Sequence, residues 1–214
     1  MSTARFTAWK RFSLRGLFVL MSVCCVVLGL WSAYVNPYRR QAQSIAVLRR
    51  LPSDLTINPA DGPVWQRWLV TTMLGEDAYV KVDAIALRGP RINDDVMREL
   101  SGLHRLKSLV LEQTQVTDAG LSAVRSMRDL ETLSLAYSLV TDRGIAELQS
   151  LPKLADLKLT GTQITDATVP ELAKLPAAKV IFIRWTRISE AGADQLRAAA
   201  PQCAVYHQAL AAAD

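Results

Sequence analysis

Histidine and cysteine are nearly missing from this 214-residue sequence. His104 and His207 stand far apart, and the three cysteines are an adjacent pair, Cys24 and Cys25, and a distant Cys203. No metal-ligand spacing or disulfide framework can be drawn from them, and His-dependent catalysis has little to build on. Acids are absent from residues 1–50, which carry eight Lys or Arg, whereas residues 51–214 carry 17 basic and 20 acidic residues. The formal net charge of +5 therefore belongs to one end of the chain and not to a basic body, which removes the nucleic-acid reading. Half of the residues are hydrophobic, enough to bury a core in one or two small domains, so neither disorder nor a disulfide-stapled miniprotein fits.

Against these absences stands a long apolar run. Leu17 to Val35, LFVLMSVCCVVLGLWSAYV, has no charge, and as a helix it reaches roughly 28 Å, close to the thickness of a bilayer core. We expect a basic tail over 1–16 and a single transmembrane helix over 17–35, with Trp31 and Tyr34 in the interfacial belt. No Ala-x-Ala pair follows the run, so a retained anchor is favoured over a cleaved signal peptide. Cys24 and Cys25 read as small apolar fillers, because Met21-Ser22-Val23 is a poor lipobox. Four basic residues flank the run on each side; Arg11 and Arg15 lie close to it and favour a cytoplasmic N-terminus, with the body periplasmic or otherwise extracytoplasmic. Residues 36–63 read as a juxtamembrane helix and linker. Ile45, Leu48 and Leu51 share one face with Arg on the others, suiting anionic headgroups or a solvated stalk, and Pro52, Pro59, Asp61, Gly62 and Pro63 read as the linker.

The remainder repeats with a period of 24. The pairs Ile85/Leu87, Leu109/Leu111, Leu133/Leu135, Leu157/Leu159 and Ile181/Ile183 recur in register, and Val205/His207 begins a sixth. Further columns keep the same step: Ile92, Val116, Val140, Ile164 and Ile188, then Thr117-Asp118, Thr141-Asp142, Thr165-Asp166 and Ser189-Glu190. Each unit opens with strand-like alternation and then sets Leu121, Val124 and Met127 at every third residue, one face of a helix. The Thr-Asp pairs place acceptors at the helix start. In the fourth unit Thr168-Val169-Pro170-Glu171 reads as a capping box and predicts a helix starting two residues late. One unit cannot offset its own ordering entropy, so neighbours must stack. Strands stack more closely than helices, which predicts a horseshoe with a parallel sheet inside and helices outside.

LKSLVLEQTQVTDAGLSAVRSMRDL, LETLSLAYSLVTDRGIAELQSLPKL and LADLKLTGTQITDATVPELAKLPAA resemble leucine-rich repeats of the ribonuclease-inhibitor-like, cysteine-containing class. The resemblance covers about residues 82 to 207 and implies an α/β leucine-rich repeat solenoid. With the N-terminal KRFSLRGLFVL stretch, the chain is also similar to bacterial membrane-anchored leucine-rich repeat proteins. Thr114, Ser138, Thr162 and Thr186 stand where many such repeats carry Asn, and a hydroxyl ladder can serve the turn backbone there. Residues 64–81, with Trp65, Trp68, Leu69 and Met73 at helical spacing, read as an N-terminal capping helix; 82–208 hold five repeats and a terminal strand; 209–214 are a tail. His207 suits an exposed terminal edge, and His104 an exposed site beyond the helix face.

Residues between the buried strand positions should line the concave face and carry function. Together with the large Tyr137 and Trp185 beside them, Arg88, Glu112, Lys158, Phe182, Arg184 and Tyr206 are the candidate partner-binding residues, since aromatic and Arg side chains anchor protein interfaces. Phe182 and Trp185 can alternatively cover the core's C-terminal end, and Asp156 can pair with Lys158. No catalytic residue, cofactor or metal is expected: the recurrent Asp118, Asp142, Asp166 and Glu190 are explained as helix caps. The expectation is a membrane-anchored, non-enzymatic module for a protein or peptide partner, with no nucleic acid and no small-molecule substrate. The alternative is an envelope spacer or assembly scaffold. A ubiquitin-ligase substrate adaptor is remote, because Leu51-Pro52-Ser53-Asp54-Leu55 leaves no room for an F-box.

Overall fold

The computed structural model describes residues 80–208 throughout, the strand over 53–59, and the helical residues 21, 25, 26, 29, 43–46, 48, 67, 68 and 70–72. Its centre is a seven-stranded sheet in sequence order. Strands β2 (Val80–Arg88), β3 (Ser108–Glu112), β4 (Thr132–Ser134), β5 (Asp156–Lys158), β6 (Val180–Arg184) and β7 (Ala204–Gln208) run parallel, each a repeat beyond the last. The register pairs Leu109 with Ile85 and Leu133, then Leu157, Ile181 and Val205 in turn, reproducing the 24-residue columns in space. Those residues turn toward the helices and build one continuous core, in which Leu87, Leu111, Leu135, Leu159 and Ile183 are fully buried. The result is an α/β, leucine-rich-repeat-like solenoid.

The helical layer is partly 3-10. Helix α1 (Asp94–Leu100) and helix α5 (Glu190–Ala199) at the two ends are α-helical. Between them α2 (Asp118–Leu121) and α3 (Asp142–Ile145) last one turn each and wind into 3-10 segments over Ser122–Ser126 and Ala146–Ser150. The spacing of Leu121, Val124 and Met127 explains this, since three-residue steps eclipse in a 3-10 helix, whereas an α-helix alternates steps of three and four. In the fourth unit a 3-10 turn over Asp166–Thr168 precedes α4 (Val169–Ala173), which carries Pro170 in its first turn. The expected capping box is absent: Thr168 caps nothing and donates its hydroxyl to Asp142 instead.

Within each repeat the Thr or Ser hydroxyl caps its own helix as expected, accepting from the amide of Ala119, Arg143, Ala167 or Gly192. The aspartates do something the repeat pattern did not reveal. Asp94 accepts from the Thr117 amide at 2.8 Å and hydroxyl at 2.7 Å; Asp118 does the same to Thr141, Asp142 to Thr165 and Asp166 to Ser189. Each carboxylate therefore ties one repeat to the next instead of capping its own helix. Gly120, Gly144 and Gly192 follow from this, because a Cβ there would collide with the preceding carboxylate. The hydroxyl column serves its turns at three of its four positions: Ser138, Thr162 and Thr186 donate to the carbonyls of Leu135, Leu159 and Ile183, whereas the buried Thr114 hydroxyl has no partner among the described residues.

The N-terminal edge departs from expectation. Residues read as linker form β1 (Ser53–Pro59), antiparallel to β2 along its whole length, with Ser53 opposite Leu87 and Pro59 opposite Val80. Proline is tolerated because β1 is an edge strand, and the Leu55-x-Ile57 alternation was the signal available for it. Ile45 and Leu48, assigned to a juxtamembrane stalk, are buried in the repeat core, and the Ser44 hydroxyl donates to the Glu99 carbonyl at the end of α1. The amphipathic face therefore covers the solenoid end. In the expected capping helix over 64–81, Val70 is buried but Trp68 is exposed, and the segment's last residues already belong to β2; Trp65, Leu69 and Met73 lie outside the described residues. No described helix is long and apolar enough to cross a membrane, and most of 17–35, with the tails 1–16 and 209–214, lies outside the described residues. At the other end His207 is not an exposed edge residue. Its side chain is 1% exposed and fixed by Glu190 Oε2 and the Ile188 carbonyl, both at 3.0 Å. His104 is exposed, as expected.

Candidate functional site

The sheet face away from the helices carries the candidate residues in register. One row runs Ala86, Val110, Ser134, Lys158, Phe182 and Tyr206 across six strands. Phe182 and Tyr206 stack, with ring centroids 4.8 Å apart and planes at 13°, and Lys158 Nζ lies 5.8 Å from the Phe182 centroid. This is a cation–π contact, so Lys158 turns to the aromatic ring and not to Asp156. A second row begins with Arg88 and Glu112, joined at 3.1 Å across β2 and β3. Phe182 is thus part of the open face and not a plug for the end of the core.

Just beyond the strands lies the most informative column: Gly89, Gln113, Tyr137, Gly161 and Trp185. All five have positive φ, and the three non-glycine members sit at 53° to 55°. That left-handed conformation costs an L-residue with a side chain about 1–2 kcal/mol. It is held because each amide continues the inter-repeat ladder, Tyr137 donating to Thr160 at 2.8 Å and Trp185 to Gln208 at 2.8 Å. Tyr137 and Trp185 are two repeats apart, yet their ring centroids are 6.2 Å apart. Gly161 makes this possible, since a Cβ there would sit 2.5 Å from the Tyr137 ring. Two large aromatic rings, 46% and 42% exposed, are held over a glycine gap on strained backbone, the kind of strain that concentrates at functional positions.

The structure brings five predicted residues, Arg88, Glu112, Tyr137, Lys158 and Trp185, to one open cleft of about 470 Å³. Phe182 and Tyr206 adjoin it through Lys158, while Arg184 lies outside its lining. Sequence reasoning set Ala136 and Thr160 on the concave face without making them candidates, and it missed Gln113 and Gly161. A glycine-rich column interrupted by Tyr and Trp was the signal for the last of these. The Ser134 hydroxyl on this face is buried and has no hydrogen-bond partner among the described residues.

No family model matches the chain, and no curated protein matches it. Among solved structures it is similar to that of PEPR1–AtPEP1, at 15% sequence identity and a TM-score of 0.43. The alignment covers 79% of this chain and 25% of that one, so the chain spans about a quarter of that protein's length.

Proposed function

We propose that the chain is a membrane-tethered, non-enzymatic recognition module that holds a protein or peptide partner on the open face of its sheet. The observation that carries this reading is the Tyr137–Trp185 pair: two exposed aromatic rings on left-handed backbone, packed across Gly161 and flanked by charged side chains. Burying exposed aromatics beside Arg and Lys is how a small patch yields most of an interface's affinity. The tether is the charge-free run over 17–35, with the N-terminus cytoplasmic and the repeats extracytoplasmic. Replacing Tyr137, Lys158, Phe182 and Arg184 together by serine should abolish partner capture, scored by photo-crosslinking from position 185 in intact cells, and leave the circular dichroism spectrum unchanged. Undiminished capture would refute the site.

A second reading, an assembly scaffold, draws on β7, which pairs on one side only among the described residues. Unpaired strand edges recruit other strands. That reading predicts self-association of the full chain through Ala204–Gln208, and a strictly monomeric mass by light scattering would dismiss it.

A further inference from the structure

The edge of the sheet where the strands exit carries a charge pattern that the repeats themselves do not use. Arg91, Arg184 and Arg187 are exposed, and none of them enters an ion pair among the described residues. The acids nearby are engaged: Glu112 by Arg88, Asp94, Asp118, Asp142 and Asp166 by the next repeat, Asp95 by Arg98, and Glu190 by Arg197 and His207. Between the arginines stands an apolar ridge of Tyr137, Leu139 and Trp185, each more than 40% exposed. Arg91, Leu139 and Arg187 hold the same position in the first, third and fifth repeats. At about 4.8 Å per strand, that strip is roughly 19 Å long, the reach of about six extended residues.

We propose that this edge takes an extended acidic peptide segment. Its central apolar side chain lies over Tyr137, Gly161 and Trp185, and its Asp or Glu carboxylates meet Arg184 and Arg187 at one end and Arg91 at the other. The inference rests on the protein-recognition reading above and names the chemistry of the partner. Guanidinium groups bind carboxylates through paired, charge-assisted hydrogen bonds. Cations at the two ends of a strip with an apolar middle fit one chain bearing discrete carboxylates, not a continuous plane of lipid headgroups.

The test uses the full-length chain in phosphatidylcholine nanodiscs and a displayed library of random twelve-residue segments. Enriched segments are resynthesised with acetylated and amidated termini, so that only side-chain carboxylates bear negative charge. Acidic segments should enrich. Their affinity should fall about tenfold or more in the Arg184→Ser/Arg187→Ser variant and in the Tyr137→Ser/Trp185→Ser variant, and by a similar factor when the peptide's own Glu is changed to Gln. The last comparison uses the unaltered protein, so a folding defect cannot mimic it. Enrichment of neutral or basic segments, or acidic binding indifferent to these changes, overturns the acidic-peptide assignment while leaving the recognition reading intact. Failure to enrich any segment overturns the assignment, and a photo-crosslinker at Gln163 that then yields only lipid adducts in cells overturns the recognition reading as well.

Discussion

Replacing Gly144 by alanine tests the inter-repeat carboxylate ladder directly. Alanine is favoured over glycine inside a helix by up to about 1 kcal/mol, and the backbone at Gly144 has no positive φ that would forbid it. The new Cβ would nevertheless lie 2.5 Å from Asp118 Oδ1 and 2.9 Å from Leu121 Cδ1. Such overpacking costs about 1–3 kcal/mol, so Gly144→Ala should destabilise by roughly 2 kcal/mol. Asp118→Ala removes the hydrogen bonds from the Thr141 amide and hydroxyl, at 2.8 and 2.6 Å. Hydrogen bonds to a charged group contribute about 1.5–3 kcal/mol each, and water reaches the half-buried Thr141 in part, leaving a loss of about 2 kcal/mol. With both changes, the methyl enters the space the carboxylate leaves. The double variant should therefore be about as stable as Asp118→Ala alone, a coupling of about 2 kcal/mol. Urea denaturation of the four proteins, followed by far-UV circular dichroism, measures this. Additivity of the two single effects within about 0.5 kcal/mol would refute the ladder.

Five further outcomes are expected. Gln113→Gly relieves a left-handed backbone on an exposed residue and should raise stability by about 0.5–1 kcal/mol after glycine's own unfolded-state entropy is counted, read as a higher urea midpoint. Leu48→Ala should cost about 2–5 kcal/mol and speed hydrogen exchange in β2 and α1, because Leu48 is fully buried in the repeat core; a free stalk would show neither change. Burial pushes the Asp142 pKa up, but hydrogen bonds from the Thr165 and Thr168 hydroxyls and the Thr165 amide outweigh it and hold the carboxyl below its usual value. Its contribution is therefore fully present above the ordinary carboxylate range and lost as pH falls through the depressed folded value; Thr168→Val should move the carboxyl's NMR titration midpoint upward. Cys203 is buried, and burial raises its thiol pKa, so it should react slowly with an impermeant thiol reagent. Gln163→Cys should react readily in whole cells with a permeabilised outer layer if the repeats are extracytoplasmic.

The period of 24 was enough to specify strands, their parallel order and the buried columns, because a repeat that cannot fold alone has one way to cover its apolar face: stacking on a copy of itself. Less of the site was legible. Arg88, Glu112 and Lys158 could be picked out by strand position, since alternation assigns each to the open face, whereas Tyr137 and Trp185 fall outside that alternation and stood out by residue type alone. Their convergence could not, because it depends on a left-handed turn at Tyr137 and Trp185 and on the missing side chain of Gly161 between them. The same holds for the aspartate column. A Thr-Asp pair looks like a cap for its own helix, and only the offset between stacked repeats sends the carboxylate to the next Thr.

The N-terminal edge shows the same division. Pattern alone identified Ile45 and Leu48 as one face of a helix but left the Leu55-x-Ile57 stretch as linker, and it could not say against what the helical face packs. A membrane surface and an open solenoid end both reward apolar burial. The sequence by itself determined the repeat, its core and the basic end in which the charge of +5 resides. Tertiary structure decided that the segment after that end caps the solenoid, and that two aromatic residues 48 positions apart share one surface, because contacts between repeats depend on backbone handedness and stacking offset, neither of which a residue's immediate neighbours encode.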